Sequence, residues 1–457
     1  MRFALALIAP LPLACGGSGG ICTSPDLAAA LSRARMGDVV TMGSCKITGA
    51  FTVPSGVTLK GAGPLASFIA VPAGARGLSL QTLGTTRVED LAILGGGAIG
   101  IYSSGDGVGA IAISNVVVTA TRGVGIGIER VASAALTDVK LSGTASDMNV
   151  AGLSGDIGPA DAPTHGIVLS KVGAATLARV ESDAFARFGV LAVSSPLTWS
   201  TGGAMHNLGV GLFVQGSTAM LDSIDLSGTL RGTSLDLLGY SAAFTGGSTI
   251  ATSHLVVSNS EGYGLVHDGG SVGMHADLIA ANNHGIAVFA QHGSTIDVSG
   301  ALSDNGRGGI FAIGAHRVSV HDATIARTHL GIQIDGDRSV MIGDGIQVVG
   351  GADNVQVKSV TLDENERVGA LFDLGGGRIT ASALSDVHVT TSSAAFGVIA
   401  ENGAKTTDWD SGVMRAGGAA ANDRTFSGSL DTVRAVGPCY MPAPDVVLRG
   451  LSALVGP

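Results

Sequence analysis

The sequence predicts an all-β solenoid, a stack of coils of about 22 residues each, and three observations carry that expectation. A glycine followed by an apolar strand recurs at Gly166, Gly189, Gly211, Gly264, Gly285, Gly309 and Gly331, in steps of 23, 22, 53, 21, 24 and 22 residues, the long step holding more than two periods. Asn259, Asn282 and Asn305 form a second ladder, 23 residues apart each time. Composition is the third: the 457 residues are 45% hydrophobic but only 4% aromatic and 14% charged, with 71 Gly, as a narrow core of small aliphatic side chains requires. Such a chain has enough apolar surface to fold, which excludes global disorder. The glycines lack a three-residue period, which excludes collagen. With 26 Lys+Arg against 36 Asp+Glu and no basic run, nucleic acid is excluded as a partner.

The chain opens on an address. Met1 and Arg2 precede an apolar run from Phe3 to Leu13, too short to span a bilayer and suited to a signal-peptide core. Ala14, Cys15, Gly16 and Gly17 follow, and here the segment resembles a bacterial lipoprotein signal. That resemblance implies lipidation of Cys15, a tether through residue 20, attachment to a membrane by the lipid alone, and a place on the outer membrane or cell surface. Export fits the remaining cysteines: Cys22 and Cys45 bracket one helix and one strand, so a disulfide between them is expected, with Cys439 left over. No cysteine or histidine spacing suggests zinc.

After the tether, Ser24 is read as a helix cap with Pro25 at the first helical position, and Leu27, Ala30, Leu31 and Ala34 share one face. Gly37-Asp38 stops this helix. From Val39 onward, short alternating runs separated by Gly, Asn, Asp or Ser read as strands. Leucine-rich repeats share the period but need a periodic Leu/Asn consensus that is absent. Short β-branched strands such as Ser294–Val298 and Arg317–Val320 instead suit a coil of three strands, each paired to the coils above and below. Aligned Asn residues at a corner can bond one another from coil to coil, so Asn282→Leu should destabilise the stack.

With an N-terminal helix followed by "GDVVTMGSCKITGAFTVPSGVTLKGAG" at 37–63 and the repeats up to about Asn402, the chain resembles the right-handed parallel β-helix proteins of the pectate-lyase-like superfamily. The expected organisation is a signal and tether at 1–20, a right-handed β-helix with its N-terminal capping helix at 21–403, and a C-terminal cap at 404–457.

Two insertions break the rhythm. Residues 143–165 hold Asp147, Asp156, Asp161 and His165; residues 335–354 hold Asp335, Asp337, Asp344 and Asp353 among glycines. Closely spaced Asp in Gly-rich loops suits calcium, which makes Asp335, Asp337 and Asp344 candidate ligands, against the alternative of solvated turns. Eight of the 11 His fall between His254 and His329. By alternation Val272/Met274, Ile296/Val298 and Val318/Val320 point inward, which places His275, Asp297 and His321 outward on three successive coils as a candidate acid/base face. His292, His316 and Arg338 each follow their coil's glycine by seven residues and are expected to stack as a basic column. The alternative for all six is a polar exterior.

The resemblance supplies a stricter test. Pectate-lyase-like lyases use Arg or Lys as base beside calcium-binding carboxylates; polygalacturonase-like hydrolases carry an adjacent Asp pair and a Gly-His-Gly segment. This chain has Asn283-His284-Gly285 and Arg378-Ile379-Thr380, but no adjacent Asp pair. Exposed aromatics that could grip neutral sugars are few, with Trp199 and Trp409 the only tryptophans. Two expectations follow. One is a non-catalytic surface rod contacting glycan, matrix or envelope, with no cofactor; the other is a lyase or epimerase of an acidic polysaccharide, for which calcium is the possible cofactor.

Overall fold

The computed structural model describes residues 20–95, 97–119, 123–143, 165–231, 238–335, 338–350, 352, 354–373, 379–390, 396–401 and 415–417. Across them the chain is an all-β parallel solenoid of about 13 turns, about 23 residues per turn, with one short helix. The strands form one parallel sheet of 18 and one of 14, beside a separate antiparallel pair. One coil shows the plan. Strand Phe188–Val193 lies in the smaller sheet, a corner at 194–196 leads to Leu197–Met205 in the larger, and a second corner returns the chain to Val210–Gln215. Coils stack strand on strand, so Val190 sits beside Leu212, and Leu212 beside Ala242.

The longer strands are bent at residues of positive φ. Asp90, Asn115, Asp138, Arg179, Thr201, Ser223, His254, Asp277, Asp322 and Ser359 form this column of bends, with φ of 46–56°. Asp and Asn tolerate that left-handed conformation best among residues with a side chain, which accounts for five of the ten. A second left-handed column marks the return corner at Ala184, His206, Asn259, Asn282, Asp304, Arg327 and Glu364. The residue after each of these turns inward.

That second column corrects the asparagine ladder. Asn259 and Asn282 occupy the left-handed corner and are exposed; only Asn305 of the three expected residues is buried. The buried rungs are Asn207, Ser260, Asn283, Asn305, Thr328 and Asn365. Asn283 Oδ1 accepts from the Ser260 N–H at 3.1 Å, and its Nδ2 donates to Asn305 Oδ1 at 2.9 Å and to the Val257 carbonyl at 3.2 Å. Asn283→Leu is therefore expected to lower stability by about 1–3 kcal/mol, because it strands a buried N–H and carbonyl. Asn282→Gly should be nearly neutral, since it keeps the corner conformation. Urea denaturation of both variants checks the assignment.

The core is one continuous column of aliphatic side chains, entered at its N-terminal end by Leu27 and Leu31 of helix Ser24–Arg33. Thr23, rather than Ser24, caps the helix: its hydroxyl accepts from the Asp26 N–H at 3.3 Å, and Pro25 falls within the first turn. Cys22 and Cys45 are joined by a disulfide, with their Cα atoms 5.7 Å apart. Trp199 is fully buried in this core, so it cannot grip a sugar.

The outer face of the smaller sheet is buried rather than polar. The outward residues of the smaller sheet form a second apolar layer, in which Val168, Leu191, Phe213, Ala243, Val266, Phe289 and Phe311 stack on successive coils. Phe289 and Phe311 lie with ring centroids 5.7 Å apart, and Tyr240 and Tyr263 at 5.2 Å. Val340 and Ile342, from an antiparallel hairpin, pack into this layer.

That hairpin pairs Gly331–Asp335 with Arg338–Ile342 and is an insertion, not a coil. The next true coil strand is Asp344–Val349, which pairs with Gly308–Ile313. Gly331 therefore does not belong to the glycine ladder, and Arg338 cannot stack in a coil column. Gly285 also lies two residues off the ladder: Leu265 pairs with Val288 and Val288 with Ile310, so Ala287 stands between Gly264 and Gly309, in true steps of 23 and 22. Strand Arg415–Gly417 continues the larger sheet beyond Ile379–Thr390, inside the segment expected to be the C-terminal cap. The rest of 404–457, with Trp409 and Cys439, lies outside the described residues, as do Cys15 and the 1–19 address.

Candidate functional site

The expected His275–Asp297–His321 face is only partly assembled. His275 points inward and is buried, because the inward pair on its strand is Gly273 and His275, not Val272 and Met274. The register shows this directly: Gly273 lies between Ile250 and Ile296, and His275 between Thr252 and Val298. Gly273 has no side chain to reveal its direction, so the flanking apolar residues mislead the alternation; Met274 is exposed. A Cβ at Gly273 would lie 2.3 Å from His267 Cε1 and 2.7 Å from His275 Nε2. The missing side chain is thus replaced by two imidazoles. His267 Nε2 meets His275 Nε2 at 2.8 Å, and His275 Nδ1 meets Thr252 Oγ1 at 3.0 Å. Burial holds His275 down at about 4 and His267 well below the ordinary histidine value, so both are neutral and serve as core polar groups.

Asp297 and His321 do meet, at 3.1 Å between Oδ1 and Nε2, and His321 Nδ1 reaches Asp322 at 3.0 Å. The pairing recurs along the rod: His206 with Asp183 at 2.8 Å, His254 with Asp222 at 3.3 Å, His292 with Asp268 at 2.6 Å and His329 with Glu366 at 3.1 Å. Each of these five histidines ties one coil to another. Four of the eight clustered histidines, His254, His292, His321 and His329, are therefore inter-coil staples.

His292 and His316 do not stack either. Gln291 pairs with Ile313 and Thr295 with Arg317, which aligns His292 with Gly314 and His316 with Ser294. Of the calcium candidates, Asp337 lies outside the described residues and Asp335 is in the hairpin strand. Asp344 is only 2% exposed and is bonded by Arg367 at 2.7 Å, which occupies the oxygens a cation would need. Burial raises its carboxyl while Arg367 opposes that rise. Among the described residues no group of three His, Cys, Asp or Glu converges to hold a metal.

A concave site lies elsewhere, where the bends of the long strands meet the outward face beyond them. A groove of about 710 Å³ crosses five consecutive strands, from Asn115 and Val117 to Asp225. At the strand spacing of about 4.8 Å, it extends for roughly 19 Å along the rod. Its rim is pinned across coils. Arg179 grips Asp138 through two parallel bonds of 2.6 and 2.8 Å, which hold that carboxyl below its usual range. Lys140 meets Glu181 at 2.9 Å. Gly202 is one of the groove's lining residues, and Gly203 carries no side chain where the preceding coil carries Glu181. Val117, Met205 and Pro64 add apolar contact. Asp225 closes one end; burial raises its carboxyl, and the Ser227 hydroxyl donates to it.

None of these residues stands out in the sequence. The insertion at 144–164 stretches the step from Asp138 to Arg179 to 41 residues, which hides that they are neighbours on adjacent coils. The available signal was the run of Asp90, Asn115 and Asp138 at near-coil spacing, which marks the bend column.

No family model matches this sequence, and no curated protein matches it. Solved structures of parallel β-helix enzymes are similar at the level of the fold. The mannuronan C-5 epimerase AlgE6 A-module of Azotobacter vinelandii is 14% identical, with 82% of this chain and 92% of that chain covered at a TM-score of 0.31. An alginate lyase from Paenibacillus sp. str. FPU-7 is 12% identical over 57% of this chain and 94% of its own, TM-score 0.27. The DFA-IIIase of Arthrobacter chlorophenolicus A6 is 9% identical over 88% and 94%, TM-score 0.33. The class defined is a parallel β-solenoid with an ion-paired groove on its bent sheet.

Proposed function

We propose that this protein is an exported, surface-anchored rod that binds polysaccharide without transforming it, through the groove at Val117, Lys140 and Arg179. The observation that carries this reading is the groove itself. It is long and concave, and its hydrogen-bonding side chains are fixed in place by inter-coil ion pairs, so little ordering entropy opposes a ligand with many hydroxyls. Export is supported by the Cys22–Cys45 disulfide, which persists in oxidising compartments. The lipoprotein-like start supplies the anchor.

A second reading, lyase or epimerase, draws on Lys140 and Arg179 standing among Asp138, Glu181 and Asp225 on successive strands. The geometry favours binding over chemistry. Lys140 is 65% exposed and held by a carboxylate, the reverse of the buried, cation-flanked setting in which lysine abstracts protons. Arg179 is committed to Asp138.

Val117→Trp tests the assignment, because Val117 faces outward and a larger ring there fills the groove without entering the core. Affinity electrophoresis through a panel of gel-embedded polysaccharides is expected to retard the wild type on at least one polymer. The variant should lose that retardation by about tenfold or more while keeping the same melting temperature. Unsaturated product from any polymer would replace this reading with a lyase.

A further inference from the structure

The charges of the groove point to a ligand class; this inference rests on the polysaccharide-binding reading. Five ionisable residues line the groove, two cations (Lys140 and Arg179) and three carboxylates (Asp138, Glu181 and Asp225), a net of −1. Both cations are already engaged, Arg179 by Asp138 and Lys140 by Glu181. Asp225 is the carboxylate left over. Among the described residues it has no ion-pair partner, and His206, which acts on it from longer range, is held by Asp183 at 2.8 Å.

Position matters as much as charge. Gly203 pairs with Glu181 on one side and with Asp225 on the other. The two carboxylates therefore stand two strand spacings apart, roughly 9.6 Å, with no side chain between them. A Cβ at Gly203 would come within 2.3 Å of the Asp225 carbonyl oxygen, so close packing of the coils keeps this slot bare.

We propose that the groove takes a polymer of amino hexoses, with the ammonium of one sugar seated on Asp225. An ammonium supplies the counter-charge that this half-buried carboxylate lacks, and a charge-assisted hydrogen bond is about twice as strong as a neutral one. Neutral sugars would leave Asp225 uncompensated. Uronate polymers would bring carboxylates to a surface whose cations are occupied.

Isothermal titration of the folded mature chain with three hexasaccharides tests this: fully deacetylated glucosamine, its N-acetylated counterpart and an oligogalacturonate. The deacetylated hexamer is expected to bind about tenfold more tightly than the acetylated one, and the oligogalacturonate not at all. Asp225→Asn should bring the deacetylated hexamer to the level of the acetylated one. Because the chain carries a formal charge of −10, a polycation could adhere anywhere on it, so Val117→Trp is the necessary control. Loss of binding in that variant supports the groove; retained binding overturns the proposal. Equal affinity for the two glucosamine hexamers, or preference for the uronate, overturns the ligand class and leaves the polysaccharide-binding groove standing. Failure of all three to bind overturns both.

Discussion

Replacing Arg367 with methionine is expected to destabilise the rod by about 3–5 kcal/mol, the largest effect of any single substitution considered. Asp344 is buried on the outer face of the smaller sheet, in the column shared by Ile286, Gly308 and Val368, and its carboxylate is gripped from both sides of the Arg367 guanidinium. Without the arginine, a buried charge has lost its compensation. Burial would then hold the Asp344 carboxyl protonated to higher pH. The sign of the pH dependence follows: the variant should lose stability as pH rises, because ionising that carboxyl becomes progressively more costly inside the fold. Asp344→Leu combined with Arg367→Met should recover most of the loss, since an apolar pair suits the surrounding layer. Urea midpoints of the three proteins at pH 5 and pH 8 give the comparison. A neutral Arg367→Met would mean that the pair is solvated.

Acidification of the wild type should act in the opposite direction, through the imidazoles that replace the Gly273 side chain. His275 falls from an ordinary value of 6.5 in the unfolded chain to about 4 in the fold. The unfolded chain therefore binds its proton first. The stability this contributes is complete above pH 6.5 and is lost progressively as pH falls toward 4, amounting to about 3 kcal/mol at 1.36 kcal/mol per unit. His267 is depressed in the same direction, and His165, buried against Phe188 and lowered to about 3, adds to it. The exposed His–carboxylate staples are surface pairs, which contribute only about 0–1 kcal/mol each. The net expectation is a rod that weakens between pH 6.5 and 4. His267→Phe with His275→Val should flatten that dependence. An unchanged slope in the double variant would mean that carboxylates, not the interior imidazoles, set the acid limit.

Much of the fold was legible because the repeat writes itself into the sequence at fixed intervals. The period and its parallel stacking, the N-terminal helix and the cysteine pair all depend on local residue types that only one arrangement satisfies. Direction was harder to read. Gly273 has no side chain, so nothing marked it as the inward position, and His275 was placed on the wrong face. Asn282 and Asn283 are adjacent, and both residue types suit a corner; only the left-handed φ at the first shows which amide is buried. The hairpin at 331–342 begins with a Gly-Ile pair that imitates a coil strand, and it carried Arg338 out of the expected column.

The groove could not be read from the sequence for a different reason. Its parts come from five coils, and each contributes one or two unremarkable polar residues. Lys140 and Glu181 become neighbours only once the 144–164 insertion is discounted. A site assembled across stacked coils has no linear motif. The apolar outer layer of the smaller sheet escaped notice similarly, since strands apolar on both faces read like any buried strand.

The most direct test of the groove as the working face is hydrogen–deuterium exchange with and without a bound hexasaccharide. Slowed exchange confined to the outward half of the bent strands, at 115–119, 138–142, 179–183, 201–205 and 223–225, is the expected result. Protection centred on the smaller sheet or on the Asp297–His321 pair, with those five segments unchanged, would contradict it.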